Sequence, residues 1–114
     1  MRRPATLGRA LIPEILPQAA ADAVARGAVL LDVREPLEIA TARVDGALEI
    51  PMGQIPARIE EIPTDAAILC LCHHGARSLQ VAHFLHAQGY DVSNVRGGID
   101  HWSQTVDPSI PRYV

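Results

Sequence analysis

The amino-acid sequence predicts an α/β domain with a mainly parallel central sheet of about five strands and helices on both faces. Three observations lead there. Short apolar runs alternate along the chain with helical stretches opened by proline and closed by glycine. Two of those runs, "AVLLDV" and "AAILCL", are apolar at both odd and even positions, as strands covered on both faces must be. The 114 residues, 48% hydrophobic and 20% charged, are enough for one ordinary globular core and too few for two.

Taken in order, residues 1–13 contain the basic stretch "MRRPATLGRA" and lack the apolar run of a signal peptide, so a short frayed extension is expected there. Glu14–Leu16 reads as a short edge strand. Pro17 opens a helix at a position where a missing N–H costs nothing, "PQAAADAVAR" continues it, and Gly27 ends it. "AVLLDV" (28–33) is a central strand. Glu35, Pro36 and Glu38 mark the next helix start, with proline at the first position and an acid in the first turn; glutamate itself is a weak N-cap. Asp45–Gly46 is a turn before a strand over Ala47–Ile50, which Pro51 stops. A brief helix is expected from Pro56 through Glu61, and "PTD" turns the chain into the second central run. Beyond the loop after Cys72, Ser78, Val81, Ala82 and Leu85 form one helical stripe closed by Gly89. Val92–Val95 is a last strand, "GGIDHWS" opens a terminal helix, and residues 104–114 are an extended, proline-containing tail beside a domain spanning 14–103.

Composition excludes several classes of function. A net charge of −3 gives no electrostatic footprint for nucleic acid. No window approaches the roughly 18 apolar residues of a membrane span. Two cysteines two positions apart are not a disulfide framework, which points to the reducing cytoplasm.

Chemistry concentrates at residues 70–78. In a parallel sheet ligands gather at the carboxyl ends of the strands, and Cys72 sits at that end of "AILCL", before a loop and a helix start. Such a loop turns backbone N–H groups inward, and the helix dipole adds positive character, which together favour an anionic sulfur. Gly75 permits the tight path, Arg77 adds a cation, and His73 and His74 add charge only as pH allows. Cys70, inside the strand, is a small buried hydrophobe, with a resolving-thiol role as the minor alternative. Cys72 is the candidate nucleophile. A metal site is not expected: ligands crowded into C-x-C-H-H cannot readily close a tetrahedron, and His83 and His86 read as a solvated helix flank.

The segments "LLDVREPLE", "DGALEIP", "CHHGARS" and "VRGGIDHW", in that order, resemble the rhodanese homology domain over about residues 14–103, and "VDPSIPRY" resembles the tail of some single-domain bacterial members. The chain departs from the pattern at Ala42, Arg43 and Val44, where Gly-His-Ile is common, and at Ile39, where an aromatic is common. The resemblance implies a rhodanese-like fold and a persulfide on Cys72. Sulfur would pass from a small anionic donor such as thiosulfate to cyanide or to a small or protein thiol, with no cofactor. The loop residues His73, His74, Gly75, Ala76, Arg77 and Ser78 would bind the anion, supported by Asp32, Arg34 and Glu35. Phosphatases with a related loop place one more residue between cysteine and arginine than the four found here, so the shorter loop suits one sulfur atom better than a phosphoryl group. The alternatives are a persulfide carrier or protein-binding adaptor and, behind these, a small phosphatase or arsenate reductase. Asp32 ends its strand at the edge where the loop emerges, so Asp32, or failing it Glu35, is expected to pair with Arg77; the alternative is that Asp32 bonds only backbone N–H groups of its own turn while Arg77 faces solvent.

Overall fold

The four-residue apolar runs form the middle of the sheet. In the computed structural model, which describes residues 11–114, the elements are β1 (Glu14–Ile15), α1 (Pro17–Ala25), β2 (Val29–Asp32), α2 (Pro36–Thr41), β3 (Leu48–Glu49), β4 (Ile68–Leu71), α3 (Ala76–Ala87), β5 (Val92–Val95) and α4 (Gly98–Thr105). Five strands pair in the order β1-β5-β4-β2-β3, and every pairing is parallel. Parallel neighbours need crossover connections, which is why helices or long loops separate the strands in sequence.

Side chains alternate across the sheet and divide the core in two. Leu31, Val33, Ile68, Cys70, Cys72 and Val92 face Val81, Ala82 and Leu85 of α3 together with Ile55 and Ile62. Leu30, Leu69, Leu71 and Val95 face Ala20 of α1 and Ile99 and Trp102 of α4. The buried stripe of α3 is Ser78, Val81, Ala82 and Leu85, the set its periodicity marks.

This layering creates the site. After β2 the chain turns toward the α1/α4 side, where Ala42 packs; after β4 it turns to the opposite side, where α3 packs. Because β2 and β4 are neighbours, with Asp32 opposite Leu71, their carboxyl ends diverge and leave a crevice between them. Ligands of open parallel sheets bind at such a switch point.

Three local expectations change. The helix expected from Pro56 is replaced by two 3-10 turns, Met52–Gln54 and Ile59–Glu61; Pro56 has no N–H to donate back to Met52, whose carbonyl takes the Ile55 N–H at 3.3 Å, while Ile55 itself keeps helical backbone. Of the expected N-terminal extension, residues 1–10 lie outside the described residues. Ile12 is buried in the α3-side core, and the Pro13 carbonyl accepts the Asn94 N–H at 2.8 Å, so the chain joins the sheet before β1. The terminal helix runs to Thr105, and the tail then turns at Asp107, buries Ile110 against the α4 side and folds back toward the crevice.

Candidate active site

Cys72 follows β4 directly, is 1% exposed, and shares its face of the sheet with Cys70. The loop Cys72–Gly75 leads into α3, and Gly75 is the N-cap at φ +108°, backbone that a side chain would strain. This turn aims the Gly75 N–H at the Cys72 Sγ, 3.1 Å away. The first N–H groups of α3 have no acceptor within their own helix, so the helix presents its positive end here.

The outer side of the loop is held by a segment distant in sequence. Ile99 and Asp100, in the first turn of α4, donate their N–H groups to the carbonyls of Cys72 (2.8 Å) and His73 (3.1 Å). Such an approach is open only to glycine at position 98: a Cβ there would overlap both carbonyls. "CHHGARS" and "VRGGID" are thus two halves of one structure, one providing the loop and the other fixing its carbonyls outward.

The two cysteines differ in environment. Burial, reinforced by the neighbouring Cys72, pushes the Cys70 thiol up to about 12, so it stays protonated and unreactive at neutral pH. Cys72 has polar company: beside the Gly75 N–H, the Ser78 hydroxyl oxygen lies 3.2 Å from Sγ and 2.6 Å from Asn94 Oδ1.

The expected pairing of Arg77 with Asp32 or Glu35 is not what the structure contains. Arg77 donates two hydrogen bonds to Glu38, at 2.7 and 2.8 Å. Glu38 also accepts the Tyr113 hydroxyl (2.8 Å) and the Glu35 backbone N–H (3.1 Å). The bonds from Arg77, ahead of every other influence, hold the Glu38 carboxyl down at about 2. Asp32 is turned instead to Arg34: both side chains are fully buried, with Nη2 to Oδ2 at 2.6 Å, and Asp32 also accepts the Arg34 backbone N–H. Arg34 in turn donates to the Glu38 carbonyl and the Tyr113 hydroxyl, both at 3.2 Å. Asp32 is fully engaged by the buried Arg34 two residues on, which leaves Glu38, in the first turn of α2, as the acid that meets Arg77 in the first turn of α3. Glu35 is exposed and meets the network through the capping box it forms with Glu38 at the start of α2, not through Arg77.

The tail completes the wall. The Tyr113 ring stacks on His73 (centroids 3.9 Å apart) and His73 on His74 (3.8 Å). His73 Nε2 lies 2.8 Å from the Tyr113 carbonyl, which fixes it as the protonated nitrogen of a neutral ring. Burial first, and His74 second, lower the His73 pKa, so His73 is not the resident cation of the site. Arg77 keeps its charge but shares it with Glu38. His73, His74 and Asp100 bring ligand atoms within 4.8 Å of one another. His73 Nε2, however, is engaged by the Tyr113 carbonyl. Asp100 is also bound twice by Arg112. Ala76 and His74 are exposed on the outer rim.

Glu38, Tyr113, Asn94 and the Gly98–Asp100 turn are thus parts of the site that the sequence reading left out. Asn94 carries a signal, a polar residue on the same face of β5 as the buried Val92 and itself buried.

The model of the rhodanese-like domain family matches residues 16–105. The chain belongs to the rhodanese-like family. Among curated proteins it is 46% identical over 77 residues to a sulfurtransferase of Allochromatium vinosum, covering 67% of this chain and 72% of that one. It is 36% identical over 97 residues to the thiosulfate sulfurtransferase GlpE of Haemophilus influenzae, covering 83% and 91%. Among solved structures, the reduced CoADR-RHD of Bacillus anthracis superposes with a TM-score of 0.82 at 31% identity; the match covers 87% of this chain and 18% of that much longer protein.

Proposed function

We propose that this chain moves sulfane sulfur from a small anionic donor such as thiosulfate to cyanide or to a small or protein thiol, through a persulfide on Cys72. The single observation that carries the reading is the setting of Cys72. It lies at the switch point of the sheet, with the Gly75 N–H 3.1 Å from Sγ and the positive end of α3 beside it. Relatives named sulfurtransferase and thiosulfate sulfurtransferase support the same chemistry.

The Cys72 thiolate attacks the outer sulfur of thiosulfate. The new S–S bond forms as the sulfur–sulfonate bond breaks, and sulfite leaves with the electron pair. The negative charge then resides on the outer sulfur of the persulfide, where loop N–H groups and the helix dipole stabilise it. A thiolate or cyanide attacks that sulfur, and Cys72 leaves as thiolate. Arg77, bound to Glu38, orders the wall of the entrance, while backbone donors meet the anion. The scheme uses no metal or cofactor. Two free cysteines suit the reducing cytoplasm, and no helix among the described residues is long and apolar enough to cross a membrane.

Steady-state transfer from thiosulfate to cyanide tests the proposal. Wild type and Cys70→Ala are expected to turn over at similar rates, with Cys72→Ser inactive and aryl phosphates unhydrolysed. A Cys70→Ala variant as inactive as Cys72→Ser, or Cys72-dependent phosphatase turnover, overturns it.

A further inference from the structure

Asn94 is 2% exposed on β5, and nothing in the transfer scheme uses it. Its amide touches the Gly75 end of the Cys72 loop and Ser78 in the first turn of α3. Nδ2 donates to the Gly75 carbonyl (3.0 Å) and to the Glu14 carboxylate (3.3 Å to each oxygen), and Oδ1 lies 2.6 Å from the Ser78 Oγ. Both Nδ2 hydrogens face acceptors, so the amide has one workable orientation: turned over, it would set Oδ1 against a carbonyl and a carboxylate. Register fixes the contact with β1, where Glu14 stands opposite Asn94.

The Ser78 hydroxyl is fully buried and has one proton but two neighbours that can accept it, Asn94 Oδ1 and the Cys72 Sγ. While Cys72 is a thiol, every group is satisfied: Ser78 donates to Asn94, and its lone pair accepts the S–H. When Cys72 is a thiolate, the sulfur claims the hydroxyl proton, and Asn94 Oδ1 loses its donor in a buried place. When Cys72 carries the outer sulfur, the charge has moved outward and Sγ is a neutral divalent sulfur, so the proton returns to Asn94. The three forms of the enzyme are therefore not equally served by the same side chains.

We propose that Asn94 is a positioning residue that holds the Ser78 hydroxyl away from Cys72 and thereby favours the sulfur-loaded enzyme over the free thiolate. The loading bias rests on the sulfur-transfer reading; the thiol–thiolate bias does not, and it can be measured on the resting chain.

The experiment follows iodoacetamide alkylation of Cys72, located by peptide mass, as a function of pH in wild type, Asn94→Leu, Ser78→Ala and the double variant. The other titratable groups around Cys72 are Cys70 on β4, His73 in the loop, the Arg77–Glu38 pair between α3 and α2, and Glu14 on β1. All are present in every variant. Asn94→Leu removes the acceptor that the thiolate must strip of its donor and is expected to lower the pH of half-maximal alkylation by about one unit, the size of leaving one buried acceptor unpaired. With Ser78→Ala as the background, the same substitution is expected to change nothing. No shift in Asn94→Leu, an upward shift, or an equal shift in the Ser78→Ala background overturns the proposal. Gly75 O retains the Leu79 N–H at 3.3 Å, so the loop keeps a bond in the variant; should Asn94→Leu fail to fold, Asn94→Ala is read the same way. A second arm equilibrates each protein with fixed thiosulfate and sulfite and reads the loaded fraction by intact mass. Asn94→Leu is expected to lower the loading equilibrium constant about tenfold; an unchanged constant overturns the loading bias. No loading in any variant, with the alkylation shift present, would count against the sulfur-transfer reading and leave the hydroxyl switch standing.

Discussion

Replacing Glu38 by glutamine removes the acid that holds Arg77, Tyr113 and the start of α2 together while leaving the shape of the side chain. The Arg77 bonds hold the Glu38 carboxyl at about 2, against an ordinary value of 4.5. Taken at face value through linkage, that difference corresponds to about 3 kcal/mol. The Arg77 side chain is 36% exposed and that of Glu38 21%, so solvent screens the pair and about 1–2 kcal/mol is the expected contribution. A depressed carboxyl stabilises the fold fully above its unfolded pKa and loses that effect as pH falls through the folded one. Wild type should therefore exceed Glu38→Gln by about 1–2 kcal/mol at about pH 6, and the gap should close between 4.5 and about 2. Urea unfolding followed by the fluorescence of the single tryptophan, Trp102, measures it at each pH. A gap that is absent near neutrality, or that does not shrink with acid, refutes the ion pair as its cause.

The same substitution releases the charge of Arg77 toward the entrance, so Glu38→Gln should lower the KM for thiosulfate with little change in kcat; steady-state kinetics in low and high salt checks this, since the gain must fade with salt. Gly98→Ala drives a Cβ into the Cys72 and His73 carbonyls at φ +63° and should cost at least about 2 kcal/mol and most of the transfer rate. Gly27→Ala, with φ +110° and nothing within 4 Å, should cost about 1–2 kcal/mol and leave the rate intact; equal rates for the two alanine variants would contradict the role given to Gly98. Tyr113→Phe removes the hydroxyl shared by Arg34 and Glu38 and should cost about 1–2 kcal/mol in urea unfolding; a change below experimental error would show that the tail is not anchored through that group.

What was legible in the sequence was whatever depends on neighbours a few residues away. "AVLLDV" and "AILCL" announce doubly covered strands because their alternate residues enter two different cores. Proline and glycine mark the limits of α1, and the position of Cys72 after an apolar run and before a helix places it at the sheet edge. Pairings across the fold were not legible. Asp32, Glu35 and Glu38 are all acids near the same edge; Asp32 is taken by Arg34 and Glu35 by the cap of α2, which leaves Glu38 for Arg77. Tyr113 lies in a proline-rich tail that reads as extended, and its return to His73 follows from the burial of Ile110, which no local pattern reveals. Asn94 looks like an interruption in a strand until β1 and α3 are set on either side of it. At Pro56 the local pattern offers a proline-led helix start, but the turns begin at Met52, ahead of the proline.

The central claim is that Cys72 carries the sulfur in transit, and intact mass after exposure to thiosulfate tests it most directly. The account predicts one added sulfur atom, found on the peptide containing Cys72, lost on addition of cyanide or a thiol, retained in Cys70→Ala and absent in Cys72→Ser. An unchanged mass in wild type, or an added sulfur that persists in Cys72→Ser, would contradict it.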